Sequence, residues 1–326
     1  MIKFEKCIQK NKQFLSLCSE NQNCNSFLFE SQDNVFLENF AFSFAKFLLC
    51  EGENKPCNVC LSCKKNSLNS HADVVVYPKS NKNILVEDVK DLIQNINLTP
   101  IESDKKIFIF KNFSSANTQS QNKLLKILEE PPKNSYIILC VSNINKVLPT
   151  ILSRCKKYRL LALTDTEVED CLAEAGVQNQ NVQTIIDFAS GSIEKAINFS
   201  SDLSFMSAYN ACFDTLKNMK DSKTMLKYSY ALSQDKKVFE CALDIFEALF
   251  RDMLMCRFGK ANLIKNKALV QDINALAIQF DADAIDKIIK RIYLIKKQLS
   301  FNCNFVLLVD NLLLYILEVK FLCNKR

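Results

Sequence analysis

A chain of 326 residues exceeds what one hydrophobic core usually supports, so two or three domains are expected. An apolar fraction of 48% with 24 Phe excludes a disordered chain. The 42 basic and 36 acidic residues leave a net charge of +6, which permits nucleic-acid contact without indicating it.

In chain order, the first predicted element is the strand "SFLF" from Ser26, followed after the loop "ESQDNV" by the helix "FLENFAFSFAKFLLC". A strand, a glycine-rich loop and a helix ordinarily announce nucleotide binding, because backbone N–H groups and the helix N-terminus together cradle phosphate. This loop has neither glycine nor lysine, and its Glu30 and Asp33 would repel a phosphate. The glycines of the chain are Gly52, Gly176, Gly191 and Gly259, all elsewhere.

The helix ends at the first of four cysteines, Cys50, Cys57, Cys60 and Cys63, spaced C-x6-C-x2-C-x2-C. Thiolates two residues apart can reach one metal from a tight turn, Gly52 and Pro56 favour such turns, and four soft ligands suit structural zinc. Small buried hydrophobes are the ordinary role of cysteine in a reducing compartment, but "ENKPCNVCLSCKKNS" is too polar for a core. With four protein ligands the site would be closed, and so structural. The single histidine, His71, lies beyond the cluster and reads as a turn residue before the next strand.

The runs "DVVVY", "IFIF", "YIILCV" and "YRLL" follow as strands, and Val86, Val89, Ile93 and Ile96, then Leu124, Leu125 and Leu128, recur at helical spacing. Continuous apolar runs predict strands buried on both faces, hence an α/β unit with a parallel sheet covered by helices. Where "IFIF" ends, an acidic pair that could hold magnesium is replaced by Lys111 and Asn112. After Thr164 the strand-like runs cease, and "TEVEDCLAEAG" and "VQTIIDFASGSIEKAINFS" read as short helices. From about Met206 onward, long amphipathic patterns such as "DAIDKIIKRIYLIKKQL" predict a helical bundle. The late run "FVLLVDNLLLYILEV" is interrupted by Asp310 and Asn311, so no membrane span is expected, and with no apolar run of signal length a cytoplasmic protein is expected.

The stretch "KIFIFKNFSSANTQSQNKLLKILEEPPKNSYIILCVSNINKVLPTILSRCKKYRL" resembles the central part of bacterial clamp-loader subunits of the AAA+ ATPase class. "LLKILEEPP", the strand after it, "LPTILSRC" and the cysteine cluster carry the resemblance, which is clear over about residues 1 to 200 and weaker beyond. Counted without gaps, the Walker lysine and threonine positions of the ATP-hydrolysing members hold Leu37 and Glu38. The acidic Walker B positions hold Lys111 and Asn112, and Glu194 in "GSIEKA" stands where an arginine is often found. These departures are similar to the delta-prime class of DNA polymerase III clamp-loader subunits, which keep the fold, the zinc module and the "SRC" motif without acting as ATPases.

That resemblance implies an AAA+-like α/β domain over 1–162 with a zinc module around 50–63, a helical lid over 163–205 and an all-α collar over 206–326. It implies no bound ATP, and an arginine finger, Arg154, acting in trans, with Ser153 and Cys155 shaping its turn. Its partners would be gamma/tau-type motor subunits and delta-type subunits, with the sliding clamp and primer-template DNA reached through the complex and no membrane. Spacing alone would make Arg154 one surface cation beside Lys156, Lys157 and Arg159. Two further readings stay open. One is a divergent clamp-loader ATPase; the other is a stand-alone zinc-containing DNA-binding protein using Lys64, Lys65, Lys156, Lys157, Arg159 and Tyr158.

Overall fold

The computed structural model describes residues 3–20, 24–79, 83–177, 182–201, 203–266, 269–301 and 303–324. The chain divides into two compact units, one of Met1–Gly176 with Ser192–Glu194, the other of Val177–Gly191 with Lys195–Arg326. This is coarser than the three expected segments, and the segment 163–205 is shared between the two units.

The first unit runs α1 (Glu5–Lys10), α2 (Lys12–Ser19), β1 (Ser26–Glu30), α3 (Asn34–Leu49), α4 (Leu61–Ser67), β2 (Val74–Tyr77), α5 (Val86–Asn95), β3 (Lys106–Phe110), α6 (Thr118–Glu129), β4 (Ser135–Val141), α7 (Pro149–Leu152), β5 (Lys156–Arg159) and α8 (Asp165–Glu174). The five strands form one sheet in the order β2-β3-β4-β1-β5, parallel at every pairing. The continuous apolar runs have the expected cause. On one face Phe27 and Phe29 of β1 meet Phe40 and Phe44 of α3, with ring centroids 4.9 Å apart for Phe27 and Phe44 and 5.2 Å for Phe29 and Phe40. On the other, Leu28, Phe108, Phe110 and Ile137 pack with Val89, Leu92 and Leu124 from α5 and α6.

One strand is displaced from its expected position. The run "YRLL" suggested a strand from Tyr158, but β5 spans Lys156–Arg159 and its side chains alternate between half-buried and exposed. It is an edge strand paired only with β1, from Phe27↔Lys156 to Glu30↔Arg159, so it needs no continuous apolar run. Leu161 is accordingly exposed. At the other end of this unit, α8 is tied to the N-terminal helices: Glu174 accepts the Lys6 and Cys7 N–H groups, both at 3.0 Å, and Glu167 accepts the Asn11 amide at 2.8 Å.

The second unit is helical, with α9 (Val182–Ala189), α10 (Ile193–Ser201, its first two residues in the other unit), α11 (Leu203–Asn218), α12 (Ser222–Leu232), α13 (Lys236–Arg257), α14 (Val270–Ala277), α15 (Ala282–Ser300) and α16 (Phe305–Asn324). Its centre is α13, which buries Phe239, Leu243, Phe246, Leu249, Phe250 and Met253. Asp244 on the same helix is held by Lys195 at 2.7 Å and Lys296 at 2.6 Å. The fully buried Asp252 accepts both the backbone and side-chain N–H groups of Asn266.

Candidate functional site

Three places in the first unit hold the residues that the sequence singles out. The first is the turn from β1 into α3, where a nucleotide's phosphates would sit. A helix start leaves N–H groups without intrahelical partners, and here carboxylates of the chain itself take two of them, those of Asn34 and Phe36. Asp33 Oδ1 accepts the Phe36 N–H at 2.8 Å, and Asp33 Oδ2 accepts the Ser192 hydroxyl at 2.9 Å and the Glu194 N–H at 3.0 Å. In return, Glu194 Oε2 accepts the Asn34 N–H at 2.9 Å. Burial raises the Glu194 carboxyl above its usual value, the Asn34 N–H opposes the rise, and the neighbouring Asp33 charge adds to it.

Leu37 is buried, and Glu38 accepts from Lys111 Nζ at 2.7 Å, with the Lys111 ammonium 5.2 Å from the centre of the Phe42 ring. A leucine and a lysine–glutamate pair thus occupy the positions where the resemblance places a phosphate-binding lysine, a threonine and the first of two acids. Asn112 turns the chain with φ 48°.

The second place is the cysteine cluster. Cys50, Cys57, Cys60 and Cys63 bring their sulfurs within 4.8 Å of one another, with Cys57 and Cys63 4.0 Å apart. Tetrahedral zinc–thiolate bonds of about 2.3 Å would set sulfurs roughly 3.8 Å apart, so a small contraction accommodates the ion. The backbone supports charged sulfur. Cys50 Sγ accepts the Cys57 N–H at 3.2 Å, Cys57 Sγ the Cys60 N–H at 3.3 Å, and Cys60 Sγ the Cys63 N–H at 3.4 Å. The N–H groups of Cys60 and Val59 bring the Cys57 thiol down to about 6, whereas burial pushes the Cys63 thiol up.

Gly52 is required by this packing: a Cβ there would lie 2.8 Å from Cys57 Cβ and 3.1 Å from its sulfur. The donor set and its cradle fit zinc with no open position. His71 is not among these groups; it is buried and its Nδ1 accepts the Asp73 N–H at 3.2 Å.

The third place is Arg154, on the turn between α7 and β5. Pro149 starts α7, and Ser153 closes it, with its N–H on the Pro149 carbonyl at 3.0 Å and its hydroxyl on the Thr150 carbonyl at 3.0 Å. Cys155 points inward, and burial pushes its thiol up to about 12. Arg154, between them, is partly exposed. Its Nη1 donates to the Thr150 carbonyl at 2.8 Å, and its Nη2 meets Glu129 Oε1 at 2.6 Å. In the sequence, nothing marks Glu129 as this partner beyond its place in "ILEEPP", and Asp33 and Glu194 stand out only as departures from a binding motif, not as partners for the helix start.

A parallel sheet in this order, with a strand–loop–helix unit built like a phosphate site and an arginine between α7 and the edge strand, defines an AAA+-type module followed by helices. Comparison with known proteins narrows the class. The family model described as "DNA polymerase III, delta subunit" matches residues 8–164, and its C-terminal counterpart matches 204–318. The DNA polymerase III subunit delta' of Bacillus subtilis is 25% identical over 302 residues, covering 90% of this chain and 91% of that one. The delta' subunit of Buchnera aphidicola subsp. Baizongia pistaciae is 25% identical, covering 82% of each chain. A gamma subunit-related protein of Thermotoga maritima shares the fold, with a TM-score of 0.50 at 17% identity over 95% of this chain and 100% of that one. The chain belongs to the delta-prime family of DNA polymerase III clamp-loader subunits.

Proposed function

We propose that this chain is a delta-prime-type clamp-loader subunit that hydrolyses no ATP itself and lends Arg154 to the ATP site of a neighbouring motor subunit. The reading rests chiefly on one observation: the Asn34 and Phe36 N–H groups at the start of α3 are occupied by Glu194 and Asp33, while Arg154 stays partly exposed on the turn after α7. A guanidinium supplied in trans stabilises the charge that builds on the transferring phosphoryl group, and needs no nucleotide on its own chain. Ser153 and the buried Cys155 fix the backbone on either side of it, so that Arg154 leaves the turn in one direction.

In this reading the cysteine cluster holds a structural zinc, because four protein ligands leave no position for a substrate or water. The segment 163–205 serves as the lid and 206–326 as the collar that joins motor gamma/tau-type and delta-type subunits. The sliding clamp and primer-template DNA are met through the assembled complex. No helix among the described residues is long and apolar enough to cross a membrane.

The test is a reconstituted clamp loader carrying Arg154→Ala. Single-turnover hydrolysis at the site facing this subunit is expected to fall by about a thousandfold, with assembly unchanged. Normal hydrolysis and normal clamp loading would overturn the reading.

A further inference from the structure

Glu129 is the last residue of α6, and Glu130, Pro131 and Pro132 follow it. The C-terminal end of a helix carries partial negative charge, which favours lysine or arginine there and disfavours carboxylates. Two successive acids at this point therefore break a local rule, and such breaks concentrate at functional positions.

The cation that answers Glu129 lies 25 residues further along the chain, at the end of α7. Arg154 Nη2 meets Glu129 Oε1 at 2.6 Å, while Nη1 is held by the Thr150 carbonyl at 2.8 Å and by Ser153 Oγ at 3.4 Å. The guanidinium is thus pinned at two nitrogens, by its own helix and by α6. Its Nε N–H has no partner among the described residues. The side chains of Arg154 and Glu129 are 32% and 49% exposed, and ion pairs that open to water contribute little to stability. Holding the fold together is therefore a weak reason for this pair.

We propose, resting on the reading of Arg154 as a finger in trans, that Glu129 is the positioning residue of that finger. It fixes the plane of the guanidinium before a neighbouring nucleotide arrives, and it does so through one nitrogen, leaving the Nε side for a phosphoryl oxygen. An arginine has many rotamers, and one that is already oriented loses less freedom when the charged transition state forms. Because the gain appears in the transition state, it belongs to kcat and not to KM.

The experiment is ATP hydrolysis by the reconstituted complex, with Glu129→Ala, Glu129→Asp, Arg154→Ala and the Glu129→Ala/Arg154→Ala double variant in this subunit. Subunit co-elution serves as the check on folding, and Glu129→Gln replaces Glu129→Ala if the latter does not assemble. Glu129→Ala is expected to lower kcat about three- to tenfold with KM for ATP unchanged, an amount suited to lost orientation and not to a lost catalytic group. Glu129→Asp should recover part of that loss, and the double variant should be no slower than Arg154→Ala alone.

If Arg154→Ala is slow and Glu129→Ala is normal, the positioning role fails and the finger stands. Losses that multiply in the double variant also overturn it, since Glu129 would then act elsewhere. If Arg154→Ala is normal, the finger reading fails and the role of Glu129 falls with it.

Discussion

At the scale of single residues, Asp73 shows how a side chain outside the chemistry can set the geometry around it. Its buried carboxylate accepts the Ile101 N–H at 2.7 Å, the Glu102 N–H at 2.7 Å, and the Ser103 N–H and hydroxyl at 2.9 and 3.1 Å. Glu102, fixed in this way, pairs at 2.6 Å with Lys65 of α4, the helix that carries Cys63. Burial alone would raise the Asp73 carboxyl, but the three N–H groups outweigh it and hold it below the ordinary value. A lowered carboxyl contributes stability that is present above its unfolded value, about 3.9, and is lost as the pH falls through the folded value. Asp73→Ala should therefore cost about 1–2 kcal/mol at pH 7, where it takes the charged acceptor away from three part-buried backbone donors. Urea unfolding at pH 7 and pH 3 checks this: the gap between wild type and variant should narrow at the lower pH, and a constant gap would contradict the assignment.

At the scale of elements, α4 is a helix that needs help from outside its own backbone. It has seven residues, Leu61–Ser67, well short of the length at which a helix holds by itself, and its N-cap is the sulfur of Cys60. A zinc ion bound by all four sulfurs would anchor that cap, so one zinc per chain is expected by metal analysis of the purified protein. Removing it with a chelator, or weakening the set with Cys60→Ser, should open Glu51–Ser67 to protease while β1, β3 and β4 stay protected. Metal-free protein with the same protease pattern would show that the cysteines hold no structural ion. The cluster was legible in the sequence because its four ligands lie within fourteen consecutive positions, residues 50 to 63. The strands β1, β3 and β4 were legible because burial on both faces leaves a continuous apolar run. The edge strand β5 was legible only in part, two residues late as "YRLL", since pairing on one side allows its mixed pattern "KKYR". Nor were α1 and α2 read at all; they are short, and Asn11 divides them by capping the second through the Gln13 and Phe14 N–H groups. The pairs Glu129 with Arg154 and Asp33 with Glu194 join positions 25 and 161 residues apart, a separation that no local pattern can encode.

At the scale of the whole molecule, the proposed reading carries the expectation that the chain binds no nucleotide and that no single change makes it do so. A micromolar nucleotide site corresponds to about −8 kcal/mol. A phosphate charge placed roughly 4 Å from a carboxylate near a protein surface meets a repulsion of about 4 kcal/mol. Asp33 and Glu194 together would therefore cancel the affinity of an otherwise good site, even before the N–H groups they occupy are counted. The ion pair of Glu38 and Lys111 adds an independent obstacle, because the Glu38 carboxylate is taken up by Lys111 and an ammonium cannot ligate magnesium. Equilibrium dialysis of the wild-type chain with ATP and magnesium should accordingly show no saturable binding below about 1 mM. The same null result is expected for Glu194→Arg, which removes one carboxylate but leaves Asp33 across the start of α3 and the Glu38–Lys111 pair beside it. Tight, magnesium-dependent binding by the wild type would mean that these carboxylates move aside for phosphate, and would return the chain to the ATP-hydrolysing members of its class.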